Sequence, residues 1–343
     1  MKKILVSALE PSANLHLKPV LQKLGEYELL GIFDEEFGEP ILNSKEFSVM
    51  GFLDIFSKLK KAKKAIDKMA HLSLEASHVL LIDSPAFNLP LSRAIRKINK
   101  NVPITWYILP KVWAWKKKRA AEVEKYCTNL ASIFPFEQSF YTRSVYVGNP
   151  LLDEIKQTKK SFENSGKIVF MPGSRKSEIK SLISVFKEVA ASLNKENIIV
   201  IPKHFSAYEL DELYGDLSAF AISKNAHESL LDAEFAFVCS GTATLEAAII
   251  GTPLALCYKA KKIDYFIAKK FVKLNFIGLA NIIFDFYALA PLHKEFLQEN
   301  ACAENLIHEY KNMDKNDYFL RAQKLKEILS HGSSQEVAKI IEV

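Results

Sequence analysis

The stretch VFMPGSRKSEIKSL, residues 169–182, starts as a short apolar run and resumes after Pro172-Gly173 with the spacing of a helix. This order predicts a strand that enters a helix through a tight turn. Such a turn points several backbone N–H groups at one spot, where the helix dipole favours negative charge. Gly173 has no Cβ, so an anion can approach the backbone N–H groups of the turn at Gly173 and Ser174. Arg175 adds a guanidinium suited to phosphate. A plain strand–helix turn with a surface arginine fits the same pattern equally well.

Strand-like runs alternate with helical stretches on both sides of this segment. The runs are KILVSAL, YELLGIF, HVLLIDSPAFN, PITWYILP and LASIFPF in the first half, then GKIVFMPG, NIIVIPK, AFAISK, AEFAFVCSG and PLALCYK. This rhythm predicts an α/β protein with two Rossmann-like domains that face a central cleft. We place the domains at 1–160 and 161–315, followed by C-terminal helices over 316–343 that can pack back on the N-terminal domain.

Composition limits the kind of partner that this chain can have. The 343 residues are 49% hydrophobic with a formal net charge of +6, which suits an anionic ligand or an anionic membrane surface. The charge is too small for a nucleic-acid partner. The four cysteines form no C-x-x-C pair and the histidines lack ligand spacing, so we expect no metal. No apolar run is long enough for a signal peptide or a spanning helix, and a cytoplasmic protein is therefore expected.

A second turn of the same kind lies in FVCSGTATLEAAIIGTP, residues 237–253. The strand ends at Ser240-Gly241, and Thr242 is positioned to cap the helix that follows. Glu246 comes one turn later on the same helix face. The hydroxyls and free N–H groups suit phosphates and the carboxylate suits ribose hydroxyls, although an ordinary capped helix with a solvated glutamate also fits. Two such turns in one half of the chain favour a nucleotide diphosphate as ligand.

Two carboxylates follow strands in the other half of the chain. Asp83 comes directly after the apolar run HVLLI, where partial desolvation can raise its pKa toward that of a general base. Glu10 follows the first strand at an equivalent position. The simpler interpretations are an aspartate that bonds its own backbone and a glutamate beside a helix cap.

Tryptophans and basic residues are mixed in WYILPKVWAWKKKRA, residues 106–120. Trp113, Trp115, Lys116 and Lys117 lie within this mixture, which suits a membrane interface or a sugar face. A helix that packs by its tryptophans and keeps its lysines in water fits as well.

A second basic amphipathic stretch covers residues 52–72, where Phe52 and Phe56 share a helical face and six lysines lie elsewhere. A membrane-surface helix would have this pattern. A helix docked on the protein with its lysines in water is the simpler interpretation.

These pieces, in this order, resemble the lipid-A-disaccharide synthase family, inverting glycosyltransferases of the GT-B fold. The matching segments are ALEPSAN, IDSPAFNLPLSRAIRK, YILPKVWAWKKKRA, FPFEQSFY, VGNPLLD, MPGSRKSEI, SGTATLEAAIIGTP, FIGLANII and PLHKEFLQ. They run from residue 8 to residue 298 and so cover nearly the whole chain. The combination of PKVWAWKKKR with the two turns is specific, whereas either half alone indicates only a nucleotide-sugar enzyme.

The resemblance implies a UDP-diacyl-glucosamine donor, a diacyl-glucosamine 1-phosphate acceptor and a β-1,6-linked lipid A disaccharide as product. UDP is released, and no cofactor or metal is implied. The implied site residues are the catalytic carboxylates Asp83 and Glu10, Gly173, Ser174, Arg175, Ser240, Gly241 and Thr242 for the diphosphate, Glu246 for the ribose, and Asn281 near the donor. The sequence leaves the oligomeric state open.

Acylated substrates imply that the enzyme reaches a bilayer. We therefore expect peripheral contact with the cytoplasmic face of the inner membrane. The residues expected to make this contact are Trp113, Trp115, Lys116, Lys117, Phe52 and Phe56.

The first loop departs from the family pattern Gly-Glu-x-Ser-Gly-Asp. It reads Leu9-Glu10-Pro11-Ser12-Ala13-Asn14 and lacks both glycines and the aspartate. A stiffer loop is expected, with an altered approach to the sugar.

Two alternative functions stay open on the residues alone. The first is another UDP-sugar enzyme of the same fold, such as a UDP-N-acetylglucosamine epimerase or a glycosyltransferase with a soluble acceptor. The second is a non-catalytic protein that binds anionic lipid.

Overall fold

Two compact units make up the fold of the chain. The computed structural model describes residues 1–43, 55–202, 205–260 and 274–342, with side chains at all of these positions except 55–59 and 207. The first unit runs from Met1 to Glu154 and takes in the C-terminal segment from Leu329, and the second runs from Ile155 to Ile328. The sequence predicts boundaries after residues 160 and 315, and the units change at Glu154 and Leu329.

The first unit is built on a parallel sheet of seven strands in the order β3-β2-β1-β4-β5-β6-β7. These strands are β1 (Lys2–Ser7), β2 (Tyr27–Phe33), β3 (Leu42–Asn43), β4 (His78–Ile82), β5 (Ile104–Tyr107), β6 (Asn129–Ser132) and β7 (Ser144–Tyr146). The helices between them are α1 (Pro11–Leu21), α2 (Ile55–Leu72), α3 (Pro85–Ile98), α4 (Arg119–Tyr126) and α5 (Leu151–Glu154). β4 and β5 are buried along their whole length, as expected for central strands covered on both faces.

The second unit repeats this plan with six parallel strands in the order β10-β9-β8-β11-β12-β13. The strands are β8 (Lys167–Met171), β9 (Glu196–Val200), β10 (Ala221–Ser223), β11 (Phe235–Cys239), β12 (Leu254–Tyr258) and β13 (Glu295–Leu297). The helices are α6 (Lys176–Ser192), α7 (Ala207–Tyr214), α8 (Ala226–Asp232), α9 (Thr242–Ile250), α10 (Leu279–Phe286), α11 (Ala303–Asn312) and α12 (Lys315–Leu329).

Each sheet reverses its strand order at one point. The reversal lies between β1 and β4 in the first unit, and between β8 and β11 in the second. In open parallel sheets, ligands bind beyond the carboxyl ends of the strands at such a reversal, where the loops part. The segments that follow these four strands are therefore the positions at which to look for a site.

The last helix, α13 (Ser334–Glu342), belongs to the first unit. Its N-terminus is capped by the carboxylate of Asp153, which accepts hydrogen bonds from the backbone N–H groups of Ser333 at 2.7 Å and Ser334 at 2.9 Å. A carboxylate at a helix N-terminus satisfies free N–H groups and complements the dipole. The predicted return of C-terminal helices to the N-terminal domain is thus confirmed for α13. Within the described ranges, every helix is too short or too polar to cross a lipid bilayer.

Candidate active site

Both predicted anion-binding turns line the same cavity, which holds about 400 Å³ within the second unit. The turn Gly173-Ser174-Arg175 follows β8, and the turn Ser240-Gly241-Thr242 follows β11. Because these strands are neighbours at the reversal of the sheet, the two turns lie side by side. Turns that are about seventy residues apart in the sequence thus meet in one cavity, whose backbone N–H groups and volume suit an anionic ligand.

The first turn is already occupied by a carboxylate of the protein. Oε2 of Glu178, in the first turn of α6, accepts hydrogen bonds from the backbone N–H groups of Ser174 and Arg175 at 3.2 Å each. Its Oε1 accepts a hydrogen bond from Nη1 of Arg175 at 2.8 Å. The prediction that these amides are open to phosphate is therefore modified, because Glu178 competes for them. The guanidinium of Arg175, with 79% of its side chain exposed, is the part of this turn that can reach a ligand.

Gly173 is required at its position for both conformation and space. Its φ of +116° lies in a region that side chains disfavour, and an added Cβ would lie 2.6 Å from Oε2 of Glu178. We expect Gly173→Ala to lower stability by roughly 1–3 kcal/mol and to weaken UDP binding, because Glu178 and the turn must shift. Thermal unfolding with and without UDP measures both effects.

Gly166→Ala is the matched control for this substitution. Gly166 also has a positive φ, +77°, but a Cβ there would meet no atom within 4 Å. Backbone strain alone affects both variants, whereas displacement of Glu178 affects only Gly173→Ala. Equal destabilisation of the two variants with unchanged UDP binding would show that the spacing around Gly173 does not matter.

The second turn is open toward the cavity. Gly241 is the N-cap of α9, and an added Cβ there would meet no atom within 4 Å. The N–H groups in the first turn of a helix have no acceptor within the helix, so they can receive an anion. Thr242 was predicted to be the cap, but it is the first helical residue, exposed beside Gly241. Its hydroxyl is therefore free to turn toward a ligand rather than committed to the helix end.

One cation of this cavity was missed in the sequence. Lys224 follows the short strand β10 and lines the cavity together with Arg175. Its only signal was a lysine directly after the strand-like run AFAIS. With Arg175 and the N-terminus of α9, it gives the cavity a positive field suited to a diphosphate.

Glu246 and Asn281 were also predicted to contact the sugar donor, but neither of them lines the cavity between the two turns. Glu246 is half-buried on α9, one turn beyond Thr242, outside the set of residues that line the cavity. Asn281 is fully buried: its Nδ2 donates to the carbonyl of His293 and to Oε1 of Glu295, each at 2.9 Å. Its Oδ1 accepts the N–H of Leu292 at 2.8 Å. The geometry supports a role for Asn281 in holding the segment 292–295 rather than in touching the donor.

Asp83 lies at the strand reversal of the first unit, directly after β4. It adopts φ +47° and is followed by Ser84 at φ +43°, two consecutive left-handed residues at the entrance to α3. Strained backbone of this kind is concentrated at functional sites. Burial raises the pKa of Asp83, and Lys111, the N–H of Ser84 and His16 counteract part of the rise. A partly desolvated carboxylate with a raised pKa is suited to general-base catalysis.

Asn88, a buried residue that sequence reasoning did not single out, holds this turn in place. Its Nδ2 donates to the carbonyls of Ile82 at 3.2 Å and Asp83 at 2.8 Å. Its Oδ1 accepts a hydrogen bond from the hydroxyl of Ser7 on β1 at 2.6 Å. One side chain thus ties the ends of both strands at the reversal. The only signal was an asparagine five residues after Asp83, at the end of the run HVLLIDSPAFN.

Glu10, the second predicted carboxylate, is exposed at the N-cap of α1. Pro11 starts the helix, and Nδ2 of Asn14 donates to the carbonyls of Ala8 at 3.1 Å and Glu10 at 3.0 Å. Oδ1 of Asn14 accepts the N–H of Asp34 at 2.8 Å. The unusual first loop is therefore a helix start fixed by a buried asparagine, and it leaves the carboxylate of Glu10 in solvent beside the strand reversal.

A model of the lipid-A-disaccharide synthetase family matches residues 4–340, almost the whole chain. The chain belongs to the lipid-A-disaccharide synthetase family. A relative from Campylobacter jejuni (strain RM1221), a lipid-A-disaccharide synthase, is 48% identical over 365 aligned positions that cover 99% of each protein. The protein is accordingly a glycosyltransferase of lipid A disaccharide synthesis.

Solved structures with the same fold are far more distant in sequence. Acinetobacter baumannii MurG has a TM-score of 0.59 at 15% identity, with 100% of this chain and 99% of that chain covered. The UDP-GlcNAc 2-epimerase from Methanocaldococcus jannaschii has a TM-score of 0.54 at 14% identity, with 99% of each chain covered. These likenesses confirm the GT-B type of fold, which glycosyltransferases and epimerases share. The fold alone does not choose between the reactions, and membership of the lipid-A-disaccharide synthetase family does.

Trp113 was predicted to face the membrane, and the structure contradicts that prediction. Only 5% of the residue is exposed, and its Nε1 donates to Oε1 of Glu137 at 3.0 Å. The backbone N–H groups of Ile133 and Phe134 donate to Oε2 of the same carboxylate at 3.1 and 3.2 Å. Burial raises the pKa of Glu137 to about 7, against the effect of these donors. Trp113 is therefore a core residue that anchors its segment.

The residues that follow Trp113 in the sequence, from Trp115 to Lys117, are exposed. Trp115 is 48% exposed, and Nζ of Lys116 lies 4.3 Å from the centroid of its ring. Lys117 is also exposed, with its Nζ 5.9 Å from the ring of Phe140. A half-exposed tryptophan flanked by lysines fits a membrane interface.

Phe52 and the side chain of Phe56 lie outside the described residues. Farther along the same stretch, Ala65 and Met69 of α2 are buried in the core of the first unit. The described lysines of α2 are exposed. The later turns of α2 thus form a docked helix with solvated lysines, the simpler of the two interpretations of residues 52–72.

Proposed function

We propose that the protein joins a UDP-diacyl-glucosamine donor to a diacyl-glucosamine 1-phosphate acceptor through a β-1,6 linkage and releases UDP. The observation that carries this proposal is the 400 Å³ cavity of the second unit. Two turns at the strand reversal, the cation of Arg175 and that of Lys224 meet there, and together they suit a nucleotide diphosphate. Membership of the lipid-A-disaccharide synthetase family indicates the kind of product, and the cavity supports the kind of donor.

The acceptor reacts through its primary hydroxyl, and Asp83 is the base that removes the proton. The hydroxyl oxygen forms a bond to the anomeric carbon of the donor on the face opposite UDP. The bond between that carbon and the diphosphate oxygen breaks, and its electron pair leaves with UDP. The proton ends on the carboxylate of Asp83, so atoms and charge balance, and the configuration inverts. Glu10 orients a sugar hydroxyl from the neighbouring strand end.

Charge on the departing UDP is stabilised by groups fixed before the reaction. The guanidinium of Arg175, the ammonium of Lys224 and the N–H groups at the start of α9 all bear positive charge. Preorganised donors of this kind act where negative charge develops in the transition state. We propose that they suffice without a metal ion, with Glu246 accepting hydrogen bonds from the ribose. Activity that is unchanged by EDTA is the expected result.

The test is incubation of purified protein with both acylated substrates in detergent, followed by mass analysis. The expected result is one disaccharide for each UDP released, with no product when either substrate is left out. An epimerase would change the donor without the acceptor, and a soluble-acceptor transferase would use an unacylated sugar equally well. A protein that only binds anionic lipid would release no UDP and show no thermal shift with it.

We propose that the enzyme meets its lipid substrates as a peripheral protein on the cytoplasmic face of the inner membrane. Trp115, Lys116 and Lys117 are the exposed residues that support this contact. Each lysine near an anionic surface contributes about 1 kcal/mol of attraction, and that attraction weakens with salt.

We expect the double variant Lys116→Ala/Lys117→Ala to bind vesicles containing phosphatidylglycerol roughly 10–30-fold more weakly at low salt. Co-sedimentation measures the partition coefficient. The matched control is Lys97→Ala/Lys100→Ala, which removes two exposed lysines elsewhere on the first unit. Equal losses in both double variants would point to net charge alone, and no loss in either would contradict docking through this segment.

A further inference from the structure

A second, smaller cavity of about 220 Å³ lies entirely within the first unit. Its lining residues include Asp83, Lys111, Trp115 and Arg119. A volume of this size corresponds to about seven water molecules and is below the usual range for a drug-sized ligand. It therefore suits the polar head of a substrate rather than its acyl chains.

The cavity carries more positive than negative charge. Its ionisable side chains are the two cations Lys111 and Arg119 and the single carboxylate of Asp83. Across the ranges that the structure describes, neither cation has a carboxylate within ion-pair distance. Lys111 acts on Asp83 electrostatically, since it counteracts the effect of burial on that carboxylate. The excess of cations over carboxylates favours the entry of an anionic group.

Lys111 is presented on a rigid segment. The preceding carbonyl, that of Pro110, accepts a hydrogen bond from the buried hydroxyl of Tyr141 at 2.7 Å. Val112 is buried, and Trp113 is held by Glu137. The guanidinium of Arg119 lies 5.5 Å from the ring centroid of Trp115, so this cation is also positioned by packing. Binding groups whose positions are fixed in advance lose little entropy when a ligand arrives.

From this geometry we infer that Lys111 and Arg119 bind the phosphate monoester of the acceptor and so fix its hydroxyl at Asp83. This inference rests on the proposed transfer reaction. The acceptor has one anionic group, its 1-phosphate, whereas the diphosphate of the donor has a separate cavity in the second unit. A planar guanidinium and an ammonium are the side chains that recognise such a group. The exposed ring of Trp115 offers the sugar an apolar face at the same place.

The test compares two acceptors, diacyl-glucosamine 1-phosphate and the same lipid without its phosphate. For Lys111→Gln and Arg119→Gln, the KM of the phosphorylated acceptor is expected to rise about 10–100-fold. The KM of the dephosphorylated acceptor and that of the donor are expected to stay at their wild-type values. The matched control is Lys118→Ala, which removes an exposed cation next to Arg119 that does not line the cavity.

Equal changes with both acceptors would overturn the inference, because they would mean that Lys111 and Arg119 act only on Asp83 or on folding. Circular dichroism and the thermal midpoint without ligand check that the variants remain folded, and an unchanged UDP-induced thermal shift shows that the cavity of the second unit is intact. A second measurement tests the phosphate site even if the proposed reaction does not occur. It is the broadening of the ³¹P signal of soluble glucosamine 1-phosphate when the protein is added. Broadening that is lost in Lys111→Gln supports the phosphate site even if the wild type forms no disaccharide. Broadening that is the same in all variants argues against the site whatever the reaction.

Discussion

Replacing Asp83 by asparagine is expected to lower kcat at least about a hundredfold, because general-base catalysis typically contributes 10²–10⁴-fold. Asparagine keeps the shape of the side chain but cannot take the proton of the acceptor hydroxyl. Of the non-glycine residues, asparagine and aspartate tolerate left-handed backbone best, so the φ of +47° at this position is retained. Alanine would add backbone strain to the loss of the carboxylate. Steady-state rates of UDP release, with circular dichroism as the check on folding, measure the effect.

The pH dependence of the wild type gives the same assignment a second readout. Burial raises the pKa of Asp83, and the carboxylate must be ionised to act as a base. Activity is therefore expected to be low where Asp83 is protonated and to rise as the pH increases through its pKa. That rise should lie above the usual range of an exposed aspartate. In Asp83→Asn the residual rate should no longer rise with pH over this range.

Glu10→Gln is the comparison that decides between the two carboxylates. Glu10 is exposed and Asp83 is partly buried, so the two side chains differ in desolvation, which raises the pKa of Asp83. We expect a smaller loss of kcat in Glu10→Gln than in Asp83→Asn. A near-normal rate in Asp83→Asn together with a large loss in Glu10→Gln would reverse their roles.

The four strands that end at the two reversals could be predicted because central parallel strands are continuous apolar runs in the sequence. The runs that end before Glu10, Asp83, Gly173 and Ser240 are such strands, and the structure brings their ends together in pairs. The edge strands β3, β7 and β13 have only two or three residues each, too few to show a period. The central strands of each sheet were therefore predicted, and of the edge strands only β10, which lies in the run AFAISK, was predicted with them.

Side-chain roles were harder to predict because they depend on partners far along the chain. Trp113 lies in a stretch with the composition of a membrane interface. In the structure its indole N–H donates to Glu137, 24 positions away, in the core. The side chain of Asn281 is fully hydrogen-bonded to the segment 292–295. Nothing in the sequence indicates that these residues are in contact. Glu178 did leave a local signal, a glutamate three residues after Arg175, as in a capping box. A glutamate at that position can accept hydrogen bonds from the N–H groups of the turn, as Glu178 does. An anion site predicted from a glycine turn should therefore be checked for such a glutamate.

Arg175→Ala is expected to lower kcat at least about a hundredfold with almost no effect on stability. The side chain is 79% exposed and forms an ion pair with Glu178, and exposed pairs of this kind contribute little to folding. Its contribution is instead to the charge that develops on the departing diphosphate. Loss of one preorganised donor at such a position typically costs about 3–4 kcal/mol of barrier. UDP release and the thermal midpoint, measured on the same preparation, separate the two effects.

Lys180→Ala is the matched control, because Lys180 lies on the same helix and also pairs with a carboxylate, that of Glu212 at 2.8 Å. It does not line the cavity, so its removal should leave kcat unchanged. Glu178→Gln provides the complementary change. It weakens the ion pair that holds Arg175 and removes a negative charge beside the diphosphate, so we expect tighter UDP binding at the expense of a looser turn. If UDP binding instead weakens in Glu178→Gln while Arg175→Ala keeps a normal rate, the carboxylate, and not the guanidinium, is what organises this side of the cavity.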